Sequence, residues 1–286
     1  NALSSQSLFK LSNFYLNIAK YLNPNFISFD TLLAQNLSNL DKLEKSKKIY
    51  KRISQKGEVY KWYAAKNITS ILAQQNQEAN AIKYLKKTYN SLSSPEISET
   101  HDFANFLKNN DLFDDSIIYY TKVINSIKKT NPIYSKATNG RGIAYERTNN
   151  WEKAEKDFLS SLEAKPDDAY VINYLAYSWI EKEINISKAL KLLKEANELK
   201  KNDGYITDSL GWAFYKLKKY EEAKKYLQLA IRLMPSDPIV NDHYADSLWM
   251  VGNEIQARYY WNYVLNLKET KDELKKTIEK KLIGGL

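Results

Sequence analysis

Residues Gly204–Asp237 read GYITDSLGWAFYKLKKYEEAKKYLQLAIRLMPSD, and their spacing decides the fold. Leu210, Gly211 and Phe214 fall three or four apart, as do Ala223, Leu227 and Ala230, and Pro235 stops the second run. Two apolar faces of helical period separated by a short polar stretch predict a helix–turn–helix unit. Gly211 and Ala223 carry the argument, because a side chain no larger than a methyl is needed where two helix backbones approach closely.

Leu210, Gly211, Phe214, Tyr220, Ala223, Leu227, Ala230 and Pro235 together resemble the tetratricopeptide repeat signature. Stepping outward gives units over 27–61, 62–96, 97–134, 135–168, 169–203, 204–237 and 238–271. The small position of the first helix is then Ala34, Thr69, Ala104, Gly142, Ala176, Gly211 and Ala245. That of the second is Ser46, Ala81, Ser116, Ala154, Ala189, Ala223 and Ala257. All are small or Thr. The expected fold is all-α, and the resemblance implies a right-handed α-α superhelix of about seven helix pairs.

Outside those units, Ser4 to Leu22 reads as one amphipathic helix. Ser12, Leu16, Ala19 and Pro24 repeat the spacing of Ala154, Phe158, Ser161 and Pro166. Residues 1–26 are therefore expected to be the second half of a repeat, in a natural chain that extends upstream. Two junctions are expected to be long, at Ser126–Tyr134 and at Glu183–Ile186, and Ser94-Pro95 is expected to cap a helix start. Residues 272–286 read as a capping helix and tail, with Leu274, Ile278, Leu282 and Ile283 inward and Lys275, Lys276, Lys280 and Lys281 outward.

Composition narrows the function classes. With no Cys, disulfides, thiolate metal sites and a Cys nucleophile are excluded, and no apolar run approaches the roughly 20 residues needed to cross a bilayer. The net charge of +9 comes almost wholly from Lys, in a chain also rich in Asn, Ile and Tyr, which reads as a compositional bias rather than a polyanion-binding surface. No phosphate loop, dinucleotide fingerprint or HExxH pair is present, and His101 and His243 stand too far apart in sequence for a local metal pair. Neither a cofactor nor a metal is expected, and the protein is not expected to be an enzyme. His243 reads as packed between helices or bonded to a neighbouring acid.

The resemblance implies that first helices line a concave groove. On the face opposite the small position stand Asn139, Asn173, Asp208 and Asp242, at steps of 34, 35 and 34 residues. Short amides and carboxylates so repeated can bond the main chain of an extended peptide. Tyr170, Tyr177, Tyr205, Trp212, Tyr215 and Trp249 stand beside them as aromatic anchors. With Asp246 and Glu181 the acids outnumber Lys216, so the expected partner is a neutral to basic peptide or protein segment. The earlier units offer Ser28, Thr31, Lys66, His101 and Lys108 instead.

Gly140 to Leu267 resembles, more specifically, a family of bacterial tetratricopeptide proteins that are often exported. This implies an interaction scaffold at the cell envelope. The expected function is thus a non-catalytic scaffold. The alternatives are a nucleic-acid-binding helical repeat, motivated by the charge and by Trp249, Tyr259, Tyr260, Trp261 and Tyr263 as stacking platforms, and the recognition module of a larger enzyme.

Overall fold

A computed structural model describes residues 2–286. Among these residues there is no strand, and the chain's contacts gather into two compact units, Asn1–Ile127 and Lys128–Leu286.

The first unit holds α1 (Ala2–Ser5), α2 (Phe9–Leu22), α3 (Ile27–Asn39), α4 (Leu43–Ile53), a 3-10 turn (Ser54–Lys56), α5 (Glu58–Gln74), α6 (Glu78–Tyr89), α7 (Ile97–Asn109) and α8 (Phe113–Ser126). The second holds α9 (Pro132–Arg147), α10 (Trp151–Ala164), α11 (Ala169–Glu181), α12 (Ile186–Leu199), α13 (Gly204–Lys216), α14 (Tyr220–Leu233), α15 (Pro238–Met250), α16 (Glu254–Asn266) and α17 (Asp272–Gly284).

One device closes every hairpin. The second residue after each first helix adopts the left-handed conformation: Ser7, Asp41, Asn76, Asp111, Asn149, Glu183, Lys218 and Gly252, with φ between 55° and 82°. The next amide then donates to the carbonyl five residues back, as in Lys42 to Leu37, Leu112 to Leu107, Lys219 to Phe214 and Asn253 to Leu248, at 2.8–3.0 Å. This is the 6→1 bond of a Schellman turn, which satisfies helix-end carbonyls and reverses the chain.

Helix starts in the second unit are fixed by side chains. Asn131, Asp168, Asp203 and Asp237 accept from amides of the first turns of α9, α11, α13 and α15 at 2.9–3.4 Å. Pro132 and Pro238 occupy first helical positions, where the missing N–H costs nothing.

The core follows the small residues. A Cβ built on Gly211 would lie 2.7 Å from Leu227 Cγ, and one on Gly142 would lie 2.8 Å from Phe158 Cε1. In the second unit a continuous core runs from Ala154 and Phe158 through Leu175, Leu210 and Leu227 to Trp261 and Ile278. In the first unit two clusters form, around Tyr50 and Ile68 and around Trp62, Leu85 and Phe103.

Three expectations need correction. Ser4–Leu22 is not one helix: Gln6–Leu8 is a hairpin turn closed by Leu8 N–H on Leu3, because Ser7 sits at the left-handed position 34 residues before Asp41. Ser94 does not cap α7. The N-cap is Glu96, whose amide donates to Glu99 at 2.9 Å, and Pro95 lies before the helix. In α17, Lys281 points inward and Ile283 is exposed, because two carboxylates on α15 draw the ammonium in.

Candidate functional site

The row of first helices in the second unit is real in contact terms: α11 packs on α13, and α13 on α15, while each second helix bridges its own first helix and the next. One face of this row carries positions i, i+4 and i+7 of each helix. These read Asn139, Ile143 and Glu146 on α9; Asn173, Tyr177 and Ile180 on α11; Asp208, Trp212 and Tyr215 on α13; and Asp242, Asp246 and Trp249 on α15.

The four polar positions divide into two chemistries. Oδ1 of Asn139 and Oδ1 of Asn173 are buried with no hydrogen-bond partner. An unpaired buried acceptor costs about 1–3 kcal/mol, and rotation about χ2 would present it to an incoming N–H. The aspartates are engaged. Asp208 accepts from His243 Nδ1 through both oxygens at 3.0 Å. Asp242 accepts from Lys281 Nζ at 2.7 Å, and Asp246 accepts from the same ammonium at 2.7 and 2.8 Å and from Trp261 Nε1 at 3.0 Å.

Aromatic groups lock this end. The Trp212 ring stacks on His243 at 3.9 Å and on Tyr215 at 4.5 Å, and its Nε1 donates to Glu181 at 2.6 Å. Trp249 lies beside Trp261 at 5.4 Å and beneath the Arg258 guanidinium at 4.5 Å, with Gly285 against its ring. Tyr205 and Tyr170 are exposed, and Tyr170 donates to Asp203 at 3.1 Å under the Lys200 ammonium. Between α9 and α11 a cavity of about 230 Å³ is lined by Glu146, Arg147, Tyr174, Tyr177 and Glu181.

Burial sets the proton affinities. It raises the Tyr177 and Tyr215 phenols, helped by the Glu181 and Asp246 charges respectively, and pushes Tyr174 up to about 12, with Glu146 beside it. Asp246 is pushed up to about 6 by burial and then by Asp242, against the pull of Lys281. Burial works against a charged His243, but Asp208, Asp242 and Asp246 outweigh it and raise the imidazole above its ordinary value. All these phenols stay neutral at physiological pH. No group of three or more His, Asp or Glu among the described residues could hold a metal ion.

Sequence reasoning missed Lys281, the residue that joins Asp242 to Asp246. The amphipathic pattern of α17 assigns it to the polar face, and its partners stand 39 and 35 residues earlier, so no local spacing reveals the pair.

Closed helical hairpins, small residues at each crossing and a shared face of first helices define a helical-repeat scaffold. The tetratricopeptide repeat model matches residues 31–270, and the chain belongs to that family. It is 32% identical over 99 residues to TPR repeat-containing protein PA4667 of Pseudomonas aeruginosa, a match covering 35% of this chain and 17% of that relative. The crystal structure of a tetratricopeptide repeat protein from Parabacteroides merdae superposes with a TM-score of 0.60 at 16% identity, covering 78% of this chain and 87% of that one. The Thermus thermophilus protein TTC0263 does so with a TM-score of 0.55 at 14% identity, covering 66% and 100%. Proteins of this fold commonly mediate protein interactions. No helix among the described residues is long and apolar enough to cross a membrane.

Proposed function

We propose that the second unit is a non-catalytic scaffold that binds an extended peptide along the shared face of α9, α11, α13 and α15. The observation that carries this reading is the pair of buried, unpaired Oδ1 atoms on Asn139 and Asn173, 34 residues apart on successive first helices. Each gains a hydrogen bond if a peptide N–H arrives, and neither loses one. Tyr170, Tyr177, Tyr205, Trp212, Tyr215 and Trp249 supply the flat area beside them. The reading keeps the repeat frame that steps from residue 27 to 271, with a cap over 272–286.

The partner is neutral to basic. Asp242 and Asp246 are engaged by Lys281 within the chain, so this preference rests on the Glu181 carboxylate beside Tyr177 and Trp212. Asp208 serves mainly to hold His243 and, through its ring, Trp212.

The test is recovery of partners by pull-down with mass spectrometry, followed by titration of the recovered segment as a labelled peptide. Replacing both Asn139 and Asn173 by Ala is expected to weaken binding about tenfold or more without lowering the thermal midpoint, since two unpaired buried acceptors are removed. Unchanged binding in that variant, or tighter binding of single-stranded RNA with a steep salt dependence, would overturn the reading.

A further inference from the structure

Three tripeptides of the form Asn-X-Ser/Thr stand in the chain: Asn36-Leu37-Ser38, Asn67-Ile68-Thr69 and Asn185-Ile186-Ser187. The pattern is the acceptor motif of N-linked glycosylation, and it carries chemistry only in a surface turn, where a transferase can reach the amide and bend the backbone around it. Two of the three fail that condition. Asn36 lies within α3, is 1% exposed, and spends its Nδ2 on Ser12 and Asn13 at 2.9 Å. Asn67 lies within α5, its Nδ2 donates to the Tyr63 carbonyl at 2.8 Å, and Thr69 is 5% exposed.

Asn185 meets the condition. Residues 182–185 separate α11 from α12, one residue more than separates any other first helix from its second helix among the described residues. Asn185 is the added residue, set between Ile184, whose amide closes the turn on the Trp179 carbonyl at 3.0 Å, and the start of α12. It is exposed, sits in the left-handed region at φ 49°, and its side chain neither caps α12 nor bonds any other described residue. Ser187 is exposed as well, and its hydroxyl has no partner among the described residues. The tripeptide opens a helix whose first-turn amides lack intrahelical partners, so bending it into an active site breaks few hydrogen bonds, whereas bending at Asn36 or Asn67 breaks a helix in its middle. Glu183 adds a carboxylate two residues ahead of Asn185, where Ala34 and Ala65 precede the other two asparagines. Carboxylate, amide and hydroxyl thus alternate along one exposed strip. We propose that Asn185 is an N-glycosylation acceptor. Its Nδ2 bonds to C1 of a sugar carried on a polyprenyl diphosphate, the C1–O bond to the diphosphate breaks, the lipid diphosphate leaves with the bonding electrons, and the amide gives up one proton to a base of the transferase.

The test is transfer in vitro. The full folded chain is incubated with a purified single-subunit oligosaccharyltransferase and a polyprenyl-diphosphate oligosaccharide, under conditions that glycosylate a reference acceptor peptide completely. Intact mass is expected to rise by one glycan, and tryptic digestion to place it on residues 183–188, the peptide cut after Lys182 and Lys188. Asn185→Gln and Ser187→Ala are each expected to abolish transfer, Ser187→Thr to keep it and Glu183→Gln to slow it, all with unchanged helicity by circular dichroism because the side chains are exposed. A folded chain that stays unmodified, an adduct at Asn36 or Asn67, or an adduct that persists in Asn185→Gln would overturn the proposal.

Discussion

His243 on α15 donates through Nδ1 to both oxygens of Asp208 on α13, at 3.0 Å each, beneath the stacked ring of Trp212. The pair links two successive first helices in a nearly water-free position. Its proton is therefore part of the fold's stability. His243 has a raised folded pKa, so its contribution is fully present below the unfolded value of about 6.5 and is lost as pH rises through the folded one. Asp246 acts in the same direction: its carboxyl titrates near 6 when folded and near 3.8 in the reference state, so the native chain holds the extra proton between them. The melting temperature is expected to rise between pH 8 and pH 5.5. Calorimetric scans across that range check it, and Asp208→Asn is expected to flatten the part of the curve above pH 6.5.

Gly211 is packed beneath Leu227 so closely that a Cβ would meet Cγ at 2.7 Å and the backbone nitrogen at 3.1 Å. Leu227 can turn aside, but its backbone cannot. Gly211→Leu is expected to destabilise the second unit by about 1–3 kcal/mol through overpacking, and Gly211→Ala by less. Urea unfolding followed by circular dichroism measures both.

Lys218 is held at φ 60°, a conformation that costs a residue with a Cβ about 1 kcal/mol. Its side chain is exposed and makes no hydrogen bond among the described residues. Lys218→Gly is expected to stabilise the chain by roughly that amount, with Gly252→Lys at the matching turn losing a similar amount. Denaturant midpoints of the two variants give the comparison.

Lys281 is the ammonium between Asp242 and Asp246, with its side chain 12% exposed. Lys281→Met leaves two buried carboxylates unpaired, at a cost of about 3 kcal/mol for breaking a buried pair. Hydrogen exchange along Asp272–Gly284 is expected to quicken, and Asp246 to titrate above 6.

The repeat register was legible because Gly211, Ala176 and Gly142 mark helix crossings that tolerate nothing larger, and such sterics show directly in residue size. The turns were harder. Asn76 and Asn149 are natural left-handed residues, but Ser7, Glu183 and Lys218 occupy the same position only because the closing hydrogen bond demands it. That is why α1 and α2 read as one helix. The face of first helices followed from helical geometry, yet which of its members are already engaged did not. Asn139 and Asp208 hold equivalent positions, and only the fold shows that one lacks a partner while the other grips His243. Lys281 was hidden for the same reason: a lysine on an amphipathic helix looks solvated until two carboxylates come from elsewhere.

The caps Asp168, Asp203 and Asp237 sit at the same point of successive hairpins, and each hairpin seals its own turn. Joining Asp168 directly to Gly204 would recreate the Asp203–Gly204 junction and remove one whole hairpin without severing a cap or a turn. Chain length in this unit is therefore quantised: it can shorten or grow by the cap-to-cap steps of 37, 35 or 34 residues, whereas a cut that falls between caps leaves a helix without its start.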